Sequence, residues 1–284
     1  MQAEGKKLNI RGIEHYYQWV RRESANSSKP VLVFMHGWGG SSRYWENVAK
    51  ILSEFFDCLL YDFRGFGRSE RSGSDSPALS YELEEYAEDL VILLDKLGIK
   101  KITLSAHSFG ASIATLFAHR YPEKIDKLIL TCSGIFVYNK LTFNAFHAAG
   151  TLVVKLRYPW FLQVPFAGRL FMVRFVHRTL SDRWNRMFLE DYLLADREAA
   201  TETIKTAVSK KAAEEMPKAF AGLQMPTLLI MGEKDQIIPP HLGKSAAVLN
   251  SKIKYVEVPK TGHFPMLEDP ETYMKQVYQF LEIN

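Results

Sequence analysis

Residues Lys100–Phe117 read KKITLSAHSFGASIATLF. An apolar run starting at Ile102 stops at Ala106, and beyond Ser108 the small residues Gly110, Ala111 and Ser112 open a helical pattern that Pro122 ends. A lone serine at such a change has two readings. It caps the next helix, because its hydroxyl accepts from the free N–H groups of the first turn, or it stands on a tight turn as a nucleophile. The stretch alone does not separate them, so the flanking chain has to decide.

Outward from this stretch, short apolar runs alternate with helical patterns, the signature of βαβ units and a mainly parallel sheet. PVLVFMHG (Pro30–Gly37), CLLYDF (Cys58–Phe63) and IDKLILTCSG (Ile125–Gly134) read as strands. Leu83, Tyr86, Leu90, Leu94 and Leu97 share one helical stripe ended by Gly98, which predicts an amphipathic helix over 80–98. LNIRGIEHYYQWVR (Leu8–Arg21) reads as an antiparallel hairpin at the sheet edge. From about Ile135 to Lys218 the chain carries helical patterns and no convincing strand. TLLIMGEKD (Thr227–Asp235), a helix over 241–249, IKYVEVP (Ile253–Pro259) and a final helix from Pro270 then restore the alternation. The simplest account is an α/β core (1–134 and 219–284) carrying one helical insertion (135–218).

Composition bounds the function. A chain of 284 residues, 47% hydrophobic and 24% charged, is ordinary for a globular protein with a sizeable core. A net charge of +4 argues against a dedicated nucleic-acid binder, which concentrates far more Lys and Arg. Cys58 and Cys132 both lie in strand-like runs and read as reduced core residues, which suits a cytoplasmic location. The N-terminal MQAEGKKLNIRG lacks the apolar segment of a signal peptide, and Leu141–Val154 is too short and polar to span a bilayer.

In an open parallel sheet, active groups collect at the carboxyl ends of the strands. Ser108 follows one strand, Asp235 another and His263 a third. A serine hydroxyl needs an imidazole to take its proton and a carboxylate to orient that imidazole. Ala106, Gly110 and Ala111 keep the Ser108 turn uncrowded. The oxyanion formed on attack needs backbone donors, and Phe109 N–H supplies one. The loop HGWGGSS (His36–Ser42) supplies another through Trp38. His36 and His107 neighbour these motifs but end the wrong strands for the base, so they read as structural hydrogen-bonding groups. Asp62 and Arg64 are expected to tie down their own turn, and Glu233 is the rival of Asp235. No residue spacing suits a metal, and no glycine pattern suits a nucleotide, so neither metal nor cofactor is expected.

HGWGG (His36–Gly40), DFRGFGRS (Asp62–Ser69), AHSFG (Ala106–Gly110), GEKD (Gly232–Asp235) and GHFPMLEDPE (Gly262–Glu271) together resemble the motifs of the α/β-hydrolase superfamily, in its cofactor-independent esterase, lipase and C–C hydrolase branch. One departure is Ala106, where the family usually carries Gly. The resemblance implies a mainly parallel, eight-stranded twisted sheet flanked by helices, with a helical cap inserted after the sixth strand. It implies Ser108 as nucleophile, His263 as base, Asp235 as acid, and Trp38 and Phe109 amides as the oxyanion hole. Halide release and epoxide opening are disfavoured, because family members doing those reactions carry Asp at the elbow. The implied activity is hydrolysis of apolar carboxylic esters. Cleavage of C–C bonds in dienol ketones and a receptor role on the same fold are the alternatives.

The insertion is compositionally uneven. Between Lys140 and Leu180 stand Lys140, Lys155, Arg157, Arg169, Arg174 and Arg178 without a single Asp or Glu, interleaved with aromatics such as Phe143, Phe146, Trp160, Phe166 and Phe175. The simpler expectation is a greasy inner face that, with Trp38 and Phe109, lines an acyl pocket, and a solvated basic outer face. A weak peripheral contact of this basic aromatic cap with membranes is the competing one.

Overall fold

The computed structural model describes residues 2–22, 29–70 and 79–283, and the side chain of Phe146 lies outside the described ones. Its centre is an eight-stranded sheet in the order β1-β2-β4-β3-β5-β6-β7-β8. β1 (Gln2–Ile10) and β2 (Ile13–Arg21) form the hairpin, and β2 pairs antiparallel with β4 (Asp57–Tyr61). β3 (Val31–Met35), β4, β5 (Ile102–His107), β6 (Ile125–Thr131), β7 (Thr227–Gly232) and β8 (Ile253–Val258) are mutually parallel.

The inner strands β4, β5 and β7 are buried on both faces because helices cover both. Side chains alternate across a strand, so Val33, Met35, Leu104, Leu128 and Leu229 enter one core, packed with α2 (Leu83–Lys96), α3 (Phe109–Arg120) and α8 (Lys210–Ala221). Leu32, Phe34, Leu60, Ile129 and Ile230 enter the other, against α1 (Glu46–Leu52) and the last helix, α11 (Pro270–Leu281). Short helices α9 (Pro240–Ala247) and α10 (Pro265–Glu268) flank β8.

After β6 the chain leaves the sheet for a wholly helical segment. It contains α4 (Lys140–Lys155), α5 (Ala167–Met172), α6 (Asp182–Leu194), α7 (Arg197–Ala207) and then α8. β6 and β7 nevertheless pair directly, from Leu128↔Thr227 to Thr131↔Ile230, so the insertion interrupts the sequence and not the sheet. Among the described residues no helix is long and apolar enough to cross a membrane.

Candidate active site

Three strand ends converge on one point. Ser108 joins β5 to α3 with φ 54° and ψ −121°, a left-handed conformation that a non-glycine residue adopts only when its surroundings enforce it. Enforcement is visible in the packing: a Cβ on Gly110 would stand 2.3 Å from the His36 carbonyl, so only glycine admits this approach of α3 to β3. Ala106 is fully buried in the core, where its methyl is accommodated. The departure from Gly at that position therefore costs the turn nothing visible.

His263 lies in the loop after β8. Its Nε2 is 2.9 Å from Ser108 Oγ and its Nδ1 is 2.7 Å from Asp235 Oδ2. Asp235 Oδ1 accepts from the N–H groups of Ile237 (2.8 Å) and Ile238 (3.0 Å). Burial alone would raise the Asp235 pKa. The His263 charge, its hydrogen bond and the two amides outweigh that, so the carboxyl is held below its usual range. A base within hydrogen-bond reach of a hydroxyl, oriented by a buried carboxylate, is the geometry needed to ionise a serine during attack.

The expected oxyanion donors belong to the Ser108 turn and to the loop after β3, where a Cβ on Gly37 would stand 3.2 Å from Ser108 Cβ. Phe109 opens α3, where a first-turn N–H has no intrahelical acceptor. Trp38 lies in the loop after β3, whose turn closes with Gly40 N–H donating to Gly37 O at 3.3 Å. Their side chains depart from expectation. The Phe109 ring is buried in the core, edge-on against Phe63 and Tyr86. Trp38 Nε1 donates to Ala200 O of α7 at 3.0 Å and so ties its loop to the insertion.

His36 and His107 are structural groups, as expected, though His107 lies closer to the chemistry than its position in sequence suggests. His107 Nε2–H donates to the His263 carbonyl at 2.7 Å, which leaves Nδ1 to accept from the Tyr44 hydroxyl at 3.0 Å. Tyr44 Oη in turn accepts from Gly37 N–H at 2.5 Å. Burial, then the neighbouring His263 charge, pushes the His107 pKa well below 6.5, so this tautomer stays neutral. One buried chain thus joins the Trp38 loop, the Ser108 turn and the His263 loop.

The expectation for Arg64 is corrected. Asp62 holds Ser42 N–H (2.7 Å) and Arg68, but Arg64 leaves its own turn for Asp89 of α2, at 2.7 Å. Glu233 pairs with Lys234 and accepts from Lys260 N–H, so it does not compete for His263. His107, Cys132 and His263 offer three donors within 4.8 Å of one another. The histidine nitrogens are committed as described, and burial, then the Asp235 charge, holds the Cys132 thiol well above its ordinary pKa. A divalent ion would have to displace the Ser108 constellation to bind there.

A buried glutamate, unremarked in the sequence, completes the frame. Glu268 accepts from Gly262 N–H (2.9 Å) and Phe264 N–H (3.2 Å) of the His263 loop. It also accepts from His177 N–H (2.7 Å) and Arg178 N–H (2.8 Å) of the insertion. Beside it, His263 N–H donates to Phe175 O at 2.6 Å. Its signal in the sequence is only its place five residues after His263, because two of its donors come from a distant segment.

A doubly covered, mainly parallel sheet with a Ser, His and Asp meeting at its strand ends and helices inserted after β6 defines a hydrolase-type scaffold. The chain belongs to the α/β-hydrolase fold family, whose model matches residues 30–270. It is 25% identical over 285 residues to the uncharacterised hydrolase YugF of Bacillus subtilis, covering 98% of this chain and 97% of that protein. Among solved structures it is similar to a bromoperoxidase from Bacillus anthracis (TM-score 0.80, 21% identity, 99% of this chain and 100% of that one). It is also similar to the enol-lactonase of Burkholderia xenovorans LB400 (TM-score 0.79, 19% identity, 98% and 100%).

Proposed function

We propose that this hydrolase-family protein cleaves carboxylic esters through an acyl-enzyme intermediate. The observation that carries the reading is the unbroken line from Ser108 Oγ through both nitrogens of His263 to Asp235, at 2.9 and 2.7 Å. In that reading His263 takes the Ser108 proton as the hydroxyl attacks the acyl carbon, and then delivers it to the leaving alcohol. Asp235 fixes the tautomer and stabilises the imidazolium. The Phe109 and Trp38 amides receive the oxyanion. Water, activated by the same imidazole, then releases the acid and restores Ser108. No step requires a metal or nucleotide.

The acyl side is proposed to be apolar. With Phe109 turned into the core, support for this comes from Phe175, whose ring lies 6.4 Å from the His263 ring. Each methylene buried there contributes roughly 0.8 kcal/mol of binding, which favours acyl chains of about four to ten carbons over acetate. The test is a chain-length panel of activated esters, with a coloured dienol ketone alongside, assayed on the parent and Ser108→Ala proteins. The parent should turn over esters with kcat/KM rising from acetate, and Ser108→Ala should lose a factor of about 10⁴ or more. An alanine variant as active as the parent overturns the reading, and turnover of the dienol ketone alone replaces it with C–C hydrolysis.

A further inference from the structure

The insertion turns an apolar face outward. In α4, Val154 packs inward with Ile204 of α7 in the core cluster, and Gly150 lies so close to Ile204 that a Cβ would stand 2.9 Å from it. On the other side Leu141, Leu152 and Leu156 are exposed, with Ala145 and Ala148 between them at helical spacing. Past α4, Trp160 is exposed, and Phe166 and Leu170 are each 76% exposed. The greasy face expected to look inward is therefore divided, and much of it meets solvent. Large apolar side chains exposed in such number along one segment point to a binding surface.

Charge identifies what would cover it. Lys140, Lys155, Arg169 and Arg174 lie along the same stretch, exposed, and among the described residues none has a carboxylate within ion-pair distance. The other basic residues there serve the fold: Arg157 donates to Tyr192 O and Ala195 O, and Arg178 reaches Pro259 O, Lys260 O and Asp269. A second copy of this chain would bring like charges face to face. A surface that is negative at its rim and apolar beneath matches both features.

We propose that the insertion docks on an anionic lipid surface, with Leu141, Leu152, Trp160, Phe166 and Leu170 entering the acyl boundary and the four free cations among the headgroups. Arg174 directly precedes Phe175, whose carbonyl holds the His263 N–H, so one of the four cations lies next in sequence to a residue of the candidate site. Docking does not depend on the ester reading, since vesicle binding is measured without turnover and Ser108→Ala protein should bind as the parent does.

The experiment is sedimentation of the full chain with phosphatidylcholine vesicles, with and without about one third phosphatidylglycerol. Binding is expected only with the anionic lipid and should vanish at high salt. Replacing Lys140, Lys155, Arg169 or Arg174 by Gln should weaken it about fivefold each. Phe166→Ser or Leu170→Ser should weaken it about tenfold, leaving turnover of soluble esters unchanged. Absence of binding, equal binding to both vesicles, or binding indifferent to these substitutions overturns the proposal. So does a concentration-dependent dimer that the same serine variants dissolve, which would make a second copy the occupant.

Discussion

At the scale of residues, Tyr44 does more than fill the core. Its hydroxyl accepts from Gly37 N–H and donates to His107, so Tyr44→Phe leaves a buried donor and a buried acceptor unpaired at once. Unsatisfied buried groups cost about 1–3 kcal/mol each, so stability should fall by about 2 kcal/mol or more. The loop carrying Trp38 also loses its anchor, and kcat on an activated ester should drop about tenfold or more while KM moves little. Denaturant unfolding combined with a kcat and KM measurement checks this. A variant that is less stable but has unchanged kcat would reduce Tyr44 to a packing residue. Ser108, Asp235 and His263 were legible because each stands at a strand end, and strand ends can be read from apolar runs. The direction of the Phe109 ring was not, since it depends on Phe63 and Tyr86 arriving from other elements.

Between elements, Glu268 is the clasp. It gathers amides from the His263 loop and from the start of the chain's return to α6, and it does so with one carboxylate. In Glu268→Gln one oxygen becomes an amide nitrogen that cannot accept, so two N–H groups face a donor. Hydrogen bonds to a charged group are worth about 1.5–3 kcal/mol each, and the loss should reach about 3 kcal/mol. Faster amide hydrogen exchange at His177, Arg178 and Gly262 should accompany it, and unaltered exchange there would mean the insertion is held by other contacts. The insertion itself was visible in the sequence as a break in alternation. Its outward apolar face was not, because a helix with apolar residues on more than one side gives no hint of which side finds a partner.

For the whole molecule, buried histidines set the acid limit. Burial lowers the pKa of His15 to about 3 and of His36 to about 4, and that of His107 well below 6.5. Each has a folded pKa below its unfolded one, so its stability is complete above pH 6.5 and is lost as pH falls toward the folded value. Asp191, raised to about 6 by burial against the pull of Arg43 and Ser41, acts in the opposite sense: its contribution is lost as pH rises through 6. Burial raises Asp89 as well, and three histidines against two carboxyls should still make the protein less stable by up to about 1.4 kcal/mol per pH unit for each unbalanced proton between pH 6.5 and 4. Denaturant midpoints at pH 7, 5.5 and 4.5 test it, and a midpoint that stays flat or rises on acidification contradicts it. The strands and the helical insertion could be anticipated because parallel strands buried on both faces read as apolar runs; the strand order and the polar ties across the molecule could not, since neither partner signals the other. One consequence concerns exchange of parts. Because β6 and β7 pair without help from the helices between them, that segment is a module that could be swapped for another of different specificity. The exchange must leave Phe175–Arg178 in place, however: a transplant that discards those residues would take away the acceptor of His263 N–H and half the donors of Glu268.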